Sequence, residues 1–211
     1  MTEFTKLLDS FLHLDHINPE DLPNIDLYMD QVTTFMESQL SGCKRSEDDK
    51  ILTKTMINNY SKNKLLPPSD KKKYSKDHII LLIFIYYLKN FLSISDIKAL
   101  MTPLSNAFHD NKNATISMED IYKELHDMIT DHHDTFREDV FDIYKDSQKS
   151  FSDVPDERQK ELLSHMAFIF SLSYDIYLKK QIIEGIIDQY IPAEEMKVSS
   201  KAAKDKKNKR K

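Results

Sequence analysis

Eight lysines fall within residues 50–76 (Lys50, Lys54, Lys62, Lys64, Lys71, Lys72, Lys73 and Lys76). Only one acid, Asp70, accompanies them, in a chain whose formal charge is −5. A basic island in an acidic protein is the electrostatic footprint of a phosphate-binding surface. On a helix running from about 53 to 63, Lys54, Asn58, Ser61 and Lys62 fall at i, i+4, i+7 and i+8, on one face. Ile57 and Tyr60 then turn toward a core. Asn can bond adenine on two edges, and Lys bonds guanine or phosphate. Lys71, Lys72 and Lys73, at the tip of a lysine-rich hairpin, can bracket backbone phosphates and so position a duplex without reading it. The candidate DNA-binding residues are therefore Lys54, Thr55, Asn58, Asn59, Ser61, Lys62, Lys71, Lys72, Lys73 and Tyr74. The competing reading is that these side chains are only the solvated face of a helix and a loop.

Other chemistry finds less support. His126, Asp127, Asp131, His132, His133 and Asp134 could bind a transition metal, since His126 and His133 lie seven apart on one helical face. No His-x-x-x-His or Glu-x-x-His pair occurs, however, and a solvated polar face accounts for the string. Gly42 and Gly185 are the only glycines, so neither a P-loop nor a dinucleotide fingerprint can be written. No Ser, Cys or Thr nucleophile sits in a recognisable motif. The expectation is no enzyme activity, no cofactor and no metal.

Cys43 is the single cysteine, which excludes an intrachain disulfide and a Cys-rich zinc site. With no signal peptide in view, a cytoplasmic location is expected. The longest uncharged apolar run, Ile79–Leu88, has ten residues, where a membrane span takes about 20. It reads as a buried helix. The basic residues are segregated: residues 1–49 hold three basic and eleven acidic groups, and residues 77–196 hold eleven and twenty-two.

Apolar periodicity and caps predict the elements. Scattered apolar residues give a helical arm over 1–19. A helix follows over 24–40 with an i, i+3, i+4, i+7 stripe from Ile25 to Leu40. Residues 41–50 form a loop. Thr53 or Thr55 caps the next helix, and Leu65-Leu66-Pro67-Pro68 makes a corner. Ser75 opens a helix to about 91. Ser93-x-x-Asp96 opens a short one that Pro103 ends. Residues 105–116 read as a linker. Ser117-x-x-Asp120 opens one long helix through Tyr144, and Pro155 precedes another that ends before Pro192. These two long helices would pair antiparallel. The second is apolar round much of its surface, so it needs a further partner. Its aromatics Phe168, Phe170, Tyr174 and Tyr177 could line an effector pocket, a helix–helix core or a dimer seam.

The order helix, corner, wing, helix resembles the N-terminal domain of the MerR transcriptional regulators. Asn58-Asn59-Tyr60-Ser61 stands at that family's helix motif, and Lys64-Leu65-Leu66-Pro67 at its corner. Lys71-Lys72-Lys73-Tyr74-Ser75 stands at its wing, and Ser93-Ile94-Ser95-Asp96-Ile97 at its close. Asn58 and Lys72 replace the arginines of the motif, and Lys64 replaces the corner glycine. The loop over 41–50 replaces a tight turn. Residues 20–125 also resemble an uncharacterised bacterial family known as domain of unknown function 1836, through LTKTMINNY, LLPP and KKYS. That resemblance implies no established activity.

The expected protein is mainly all-α: a MerR-like winged helix-turn-helix domain over 20–104, then a long-helix domain over 117–191 for dimerisation or effector sensing. The basic tail, 192–211, would be disordered. The expected function is a transcriptional regulator that binds duplex DNA as a homodimer, away from any membrane, with an effector the sequence does not identify. The alternative is a non-catalytic adaptor that binds proteins through a degenerate helix-turn-helix scaffold.

Overall fold

The computed structural model describes residues 3–12, 17–111 and 113–191, with Leu12 described by its backbone alone. Eight α-helices and one two-stranded sheet, with two short 3-10 helices (Pro19–Asp21 and Ser41–Cys43), account for the regular structure among these residues. They are α1 (Glu3–Leu12), β1 (Leu27–Tyr28), α2 (Met29–Leu40), α3 (Lys54–Lys62), β2 (Lys73–Tyr74) and α4 (Lys76–Leu88). After these come α5 (Ile94–Phe108), α6 (Met118–Asp131), α7 (His133–Lys149) and α8 (Glu157–Tyr190). The protein is mainly α-helical, as its composition implies. The tail over 192–211 lies outside the described residues.

The chain divides into two compact units: Met1–Leu14 with Asp127–Ile183, and Asp15–His126 with Glu184–Lys211. The N-terminal arm clusters with α7 and most of α8. The first part of α6 clusters with the preceding helices.

In the unit containing residues 15–126, α4 is the central element. Ile79–Ile83, Ile85, Tyr86 and even His78 are buried. A helix apolar on all sides has no solvent face to orient it, so it forms only where other elements surround it. Val32, Met36 and Leu40 of α2, Ile57 of α3, Leu65 and Leu66 of the corner, and Ile97 and Met101 of α5 are buried with it. Tyr122 closes this core: its hydroxyl donates to the Ile17 carbonyl at 2.5 Å, and burial pushes the phenol up to about 12.

Side-chain caps set several helix starts. The Thr53 hydroxyl accepts from the Met56 amide at 3.2 Å. At α5, Ser93 accepts from the Asp96 amide at 3.2 Å, and Asp96 in turn accepts from the Ser93 amide at 3.3 Å. Ser117 and Asp120 repeat this reciprocal pair before α6. Each satisfies amides that the first helical turn leaves open.

Four expectations are corrected. The helix over 24–40 begins only at Met29, because Leu27 and Tyr28 form a strand that pairs antiparallel with Tyr74 and Lys73. Pro103 lies inside α5, which continues to Phe108. The missing proline amide is outweighed by packing on both sides of it: Ala99 and Met101 are buried, Leu104 and Phe108 half-buried. The helix from 118 breaks at His132, whose amide donates to Ile129 in a tightened last turn before α7 begins. The helix after Ser75 ends at Leu88, three residues early.

In the other unit, α1, α7 and α8 assemble around aromatic rings. Phe4 stacks on Tyr144 at 3.9 Å, and Phe168 meets both rings edge-on at 5.3 and 5.5 Å. Arg137 donates to Asp9 at 2.7 Å and ties α7 to α1. An apolar cleft of about 590 Å³ opens among these three helices, lined by Leu7, Phe11, Phe136, Val140 and Leu172 among others.

Candidate nucleic-acid interface

Helix α3 ends in a chain reversal that the local sequence does not favour. The Leu65 amide donates to the Tyr60 carbonyl at 2.9 Å and the Lys64 amide to Ser61 at 3.1 Å. This is a Schellman closure, with Lys64 at the position that glycine usually fills. Lys64 is accordingly left-handed, at φ 60°. Leu65 and Leu66, both buried, then carry the chain into Pro67-Pro68.

The second basic element is a tight turn. The Lys73 amide donates to the Asp70 carbonyl at 2.7 Å. Lys71 and Lys72, between them, lie at φ 47° and 67°. Positive φ at both central positions is what a type I′ turn requires, and Asn-Gly is its usual sequence. The lysine-rich segment does not build a hairpin of two strands, as expected; Asp70 and Lys73 form one isolated bridge, and β2 pairs with the distant β1. Left-handed backbone costs a non-glycine residue roughly 1–2 kcal/mol. Three lysines of the basic island occupy such positions.

The start of α2 brings the two elements together. Lys54, in the first turn of α3, is ion-paired with Asp30. The Lys73 ammonium lies 5.4 Å from the centre of the Tyr28 ring. Tyr28 and Asp30 are two residues apart, so the foot of α3 and the turn flank one short stretch of chain. Asn58, Asn59, Thr55, Lys62, Lys71 and Lys72 are exposed, and Ser61 and Lys73 are half-buried.

One expected contributor, Tyr74, stands apart, and so does Lys76 of the basic island. Tyr74 is 5% exposed, with its ring edge-on to His78 at 5.5 Å; it is a core residue that anchors the turn. Lys76 donates to Asn24 at 2.7 Å and to Glu119 at 2.8 Å, so its charge is already engaged. Asp30 and Tyr28 were missed in the sequence. Nothing in an amphipathic helix start marks an aspartate for a lysine 24 residues away.

Behind the turn, His78 joins α4 to the end of α5. Its Nδ1 accepts from the Ser75 amide at 3.1 Å and lies 3.3 Å from His109 Nε2. Burial, and then the neighbouring His109, hold His78 below the usual imidazole range. The Asp110 amide donates to Asp77 at 2.9 Å across the same junction.

The His-Asp string does not gather into a site. The break at His132 puts His126 on α6 and His133 on α7, so their seven-residue spacing no longer falls within one helix. Among the described residues, no cluster of three or more His, Cys, Asp or Glu could hold a metal ion. None of the described helices is long and apolar enough to cross a membrane.

The family model described as Domain of unknown function (DUF1836) matches residues 17–125. The chain belongs to that family. The match spans the unit that carries α3, the lysine turn and α4. No curated protein and no solved structure matches the chain.

Proposed function

We propose that the chain is a cytoplasmic DNA-binding transcriptional regulator whose residues 20–104 act as a MerR-like winged helix-turn-helix. It would engage duplex DNA through the exposed face of α3 and the turn over 70–73. The observation that carries this reading is the convergence of Lys54 and Lys73 on Asp30 and Tyr28, which joins two separate basic elements into one surface. Asn58 and Asn59 on α3 supply the base-reading groups. Lys71 and Lys72 supply ammonium groups for phosphate. The three left-handed lysines support it as well: a residue that keeps a strained backbone where glycine or asparagine would relax it points to a use for its side chain. Residues 1–49 and 77–196 are acidic and repel phosphate, which leaves this face and the basic tail as the two places for a duplex to meet the chain.

Among the described lysines expected to meet DNA, Lys54 is the one paired with an acid. The adaptor alternative needs Lys54, Asn58 and Lys71–Lys73 packed against the C-terminal domain or acidic loops; the exposure of Lys71 and Lys72 supports the DNA reading.

Fluorescence anisotropy on random duplex DNA across a salt series tests the proposal, with the full chain and a chain ending at Met196 side by side. Binding by both, with affinity falling steeply as salt rises, is the expected result. Lys54, Lys71 and Lys72 changed together to Ala should flatten the log–log salt slope by about 0.9 for each phosphate no longer neutralised. Absence of binding at low salt overturns it, as does binding that disappears with the tail.

A further inference from the structure

The lysine turn rests on one buried imidazole. The chain leaves the corner at Pro68, makes the turn, and re-enters the core at Tyr74. His78, only 2% exposed, answers to both ends. The Tyr74 ring stands edge-on to it at 5.5 Å, and the Pro68 carbonyl is close enough to act on its charge. The ring of His109, at the end of α5, meets it edge-on at 4.4 Å. Around this pair, α4 brings Asp77, α5 ends at His109 and Asp110, β2 brings the Tyr74 phenol, and the corner brings a carbonyl. The nearby lysines are engaged elsewhere: Lys76 with Asn24 and Glu119, and Lys73 over the Tyr28 ring.

Hydrogen bonding fixes where the protons of the pair sit. The Ser75 amide can only donate, and it points to His78 Nδ1 at 3.1 Å. Nδ1 is therefore an acceptor, and the His78 proton lies on Nε2, which is buried without a well-formed hydrogen bond. His109 Nε2 is 3.3 Å from the same Nδ1, so it donates as well. The other nitrogen of His109, Nδ1, lies 3.4 Å from the Asp110 carboxylate. The pair thus has a place for one added proton, on His109 Nδ1 facing Asp110. It has no place for a second. A proton on His78 Nδ1 sets N–H against N–H at the Ser75 amide and again at His109, beside the positive end of α4. The Ser75 hydroxyl, 2.9 Å from Nδ1, can turn to accept it; the amide cannot.

We propose that the His78–His109 pair is an acid-operated latch: a proton taken up by His78 breaks the Ser75 bond, parts the end of α5 from the start of α4 and unseats the lysine turn. The bond that breaks lies directly after Lys73 and Tyr74, so its loss is felt at the turn before the rest of the core. Only a few polar contacts hold the junction besides, among them the Asp110 amide on Asp77 at 2.9 Å. The turn is ready to move, because Lys71 and Lys72 hold left-handed backbone that relaxes once its seat is gone. The charged ring also has partners to turn to, since the Pro68 carbonyl, Asp110 and Asp77 all favour it. A buried histidine with one set of partners when neutral and another when charged is a two-state element that pH can bias. The latch acts on the conformation of the turn and does not need the DNA reading. If that reading holds, acid withdraws the basic face from its binding geometry even as it adds positive charge to the chain.

Amide hydrogen exchange of the full chain, read by NMR and corrected for the intrinsic rate, tests this from about pH 8 to about pH 5, where histidine changes charge. The Ser75 amide and the Lys73 amide, which closes the turn on Asp70, should lose protection by about tenfold per pH unit once His78 titrates. Leu82 and Ile83, in the middle of α4, should stay protected, because the opening is local. His78→Gln supplies the acceptor of a Ser-x-x-Gln capping box, which does not titrate, and its Ser75 amide should be equally protected throughout. His109→Asn removes a neighbour that opposes charge on His78 and should move the transition to higher pH, so the latch is tested even if His78→Gln folds poorly. Protection at Ser75 and Lys73 that ignores pH overturns the proposal. So does a loss shared equally by Leu82 and Ile83, which is unfolding of the whole core. A loss that persists in His78→Gln, or a transition that His109→Asn leaves in place, overturns it as well.

Discussion

Lys54 of α3 is ion-paired with Asp30 at the start of α2, and both side chains are largely exposed. An exposed pair of this kind contributes about 0–1 kcal/mol, little enough for a phosphate to displace the carboxylate. Asp30→Asn leaves the lysine available at all times and removes a repulsive charge from the proposed surface. Duplex affinity at low salt should rise about two- to fivefold, with a steeper salt slope. Equal affinity in anisotropy titrations of the two proteins would place Lys54 outside the DNA footprint.

The lysine turn should separate stability from binding. Lys71→Asn together with Lys72→Gly gives the turn the sequence its backbone prefers. Relief at the two left-handed positions, partial for Asn and offset by the freedom Gly adds to the unfolded chain, should leave about 1 kcal/mol and raise the melting temperature by about 2–4 °C. The same change should lower the salt slope for DNA by about two. Thermal melts and salt titrations on one preparation read both. A melting temperature that falls with the substitution would mean that the lysines also hold the turn in place.

Tyr122 tests how firmly α6 is fastened to the chain at Ile17. Tyr122→Phe keeps the ring but leaves a buried carbonyl without its donor, which costs about 1–3 kcal/mol. The phenol is raised from 10.0 to about 12, so the folded state favours its neutral form. That stability is complete below pH 10 and is lost as pH rises toward 12. Urea melts should show the wild type losing more stability than Tyr122→Phe between those values; parallel losses would contradict the bond.

His78 gives an acid limb. Its imidazole is held below the usual 6.5, by burial first and then by His109, while Asp110 and Asp77 act the other way. The folded protein therefore binds this proton less readily than the unfolded chain. The stability it contributes is complete above pH 6.5 and is lost as pH falls through the depressed value, with a slope of at most about 1.4 kcal/mol per pH unit. His78→Asn is expected to be less stable at neutral pH and to show a shallower decline in melting temperature below pH 6.5. An equally steep decline would assign the acid limb to carboxylates.

Local interactions were legible in the sequence, and long-range ones were not. Thr53, Ser93 and Ser117 announce helix starts because the cap and the amide it serves lie three residues apart. The burial of α4 follows from ten apolar residues in succession. Leu27 and Tyr28 look like the first turn of a helix, since their strand partners are 47 and 45 residues away. The break at His132 has no proline or glycine to mark it. At the candidate interface the lysines and asparagines were visible as types. Their union was not, because it depends on Tyr28 and Asp30. Tyr74 was misplaced for a related reason: in a two-residue strand, adjacent side chains point to opposite faces, and only the pairing with Leu27 shows which face is inward.

The burial of α4 has a consequence for the unfolded chain. Ile79–Leu88 combines β-branched and aromatic residues without a charge, the composition that stacks into cross-β fibrils when left uncovered. Lys71, Lys72, Lys73 and Lys76 precede this run and Lys89 follows it. In a nascent or truncated chain those ammonium groups are gatekeepers, whose mutual repulsion opposes alignment of one copy of the segment on another. Neutralising them would be felt first in the yield of refolding.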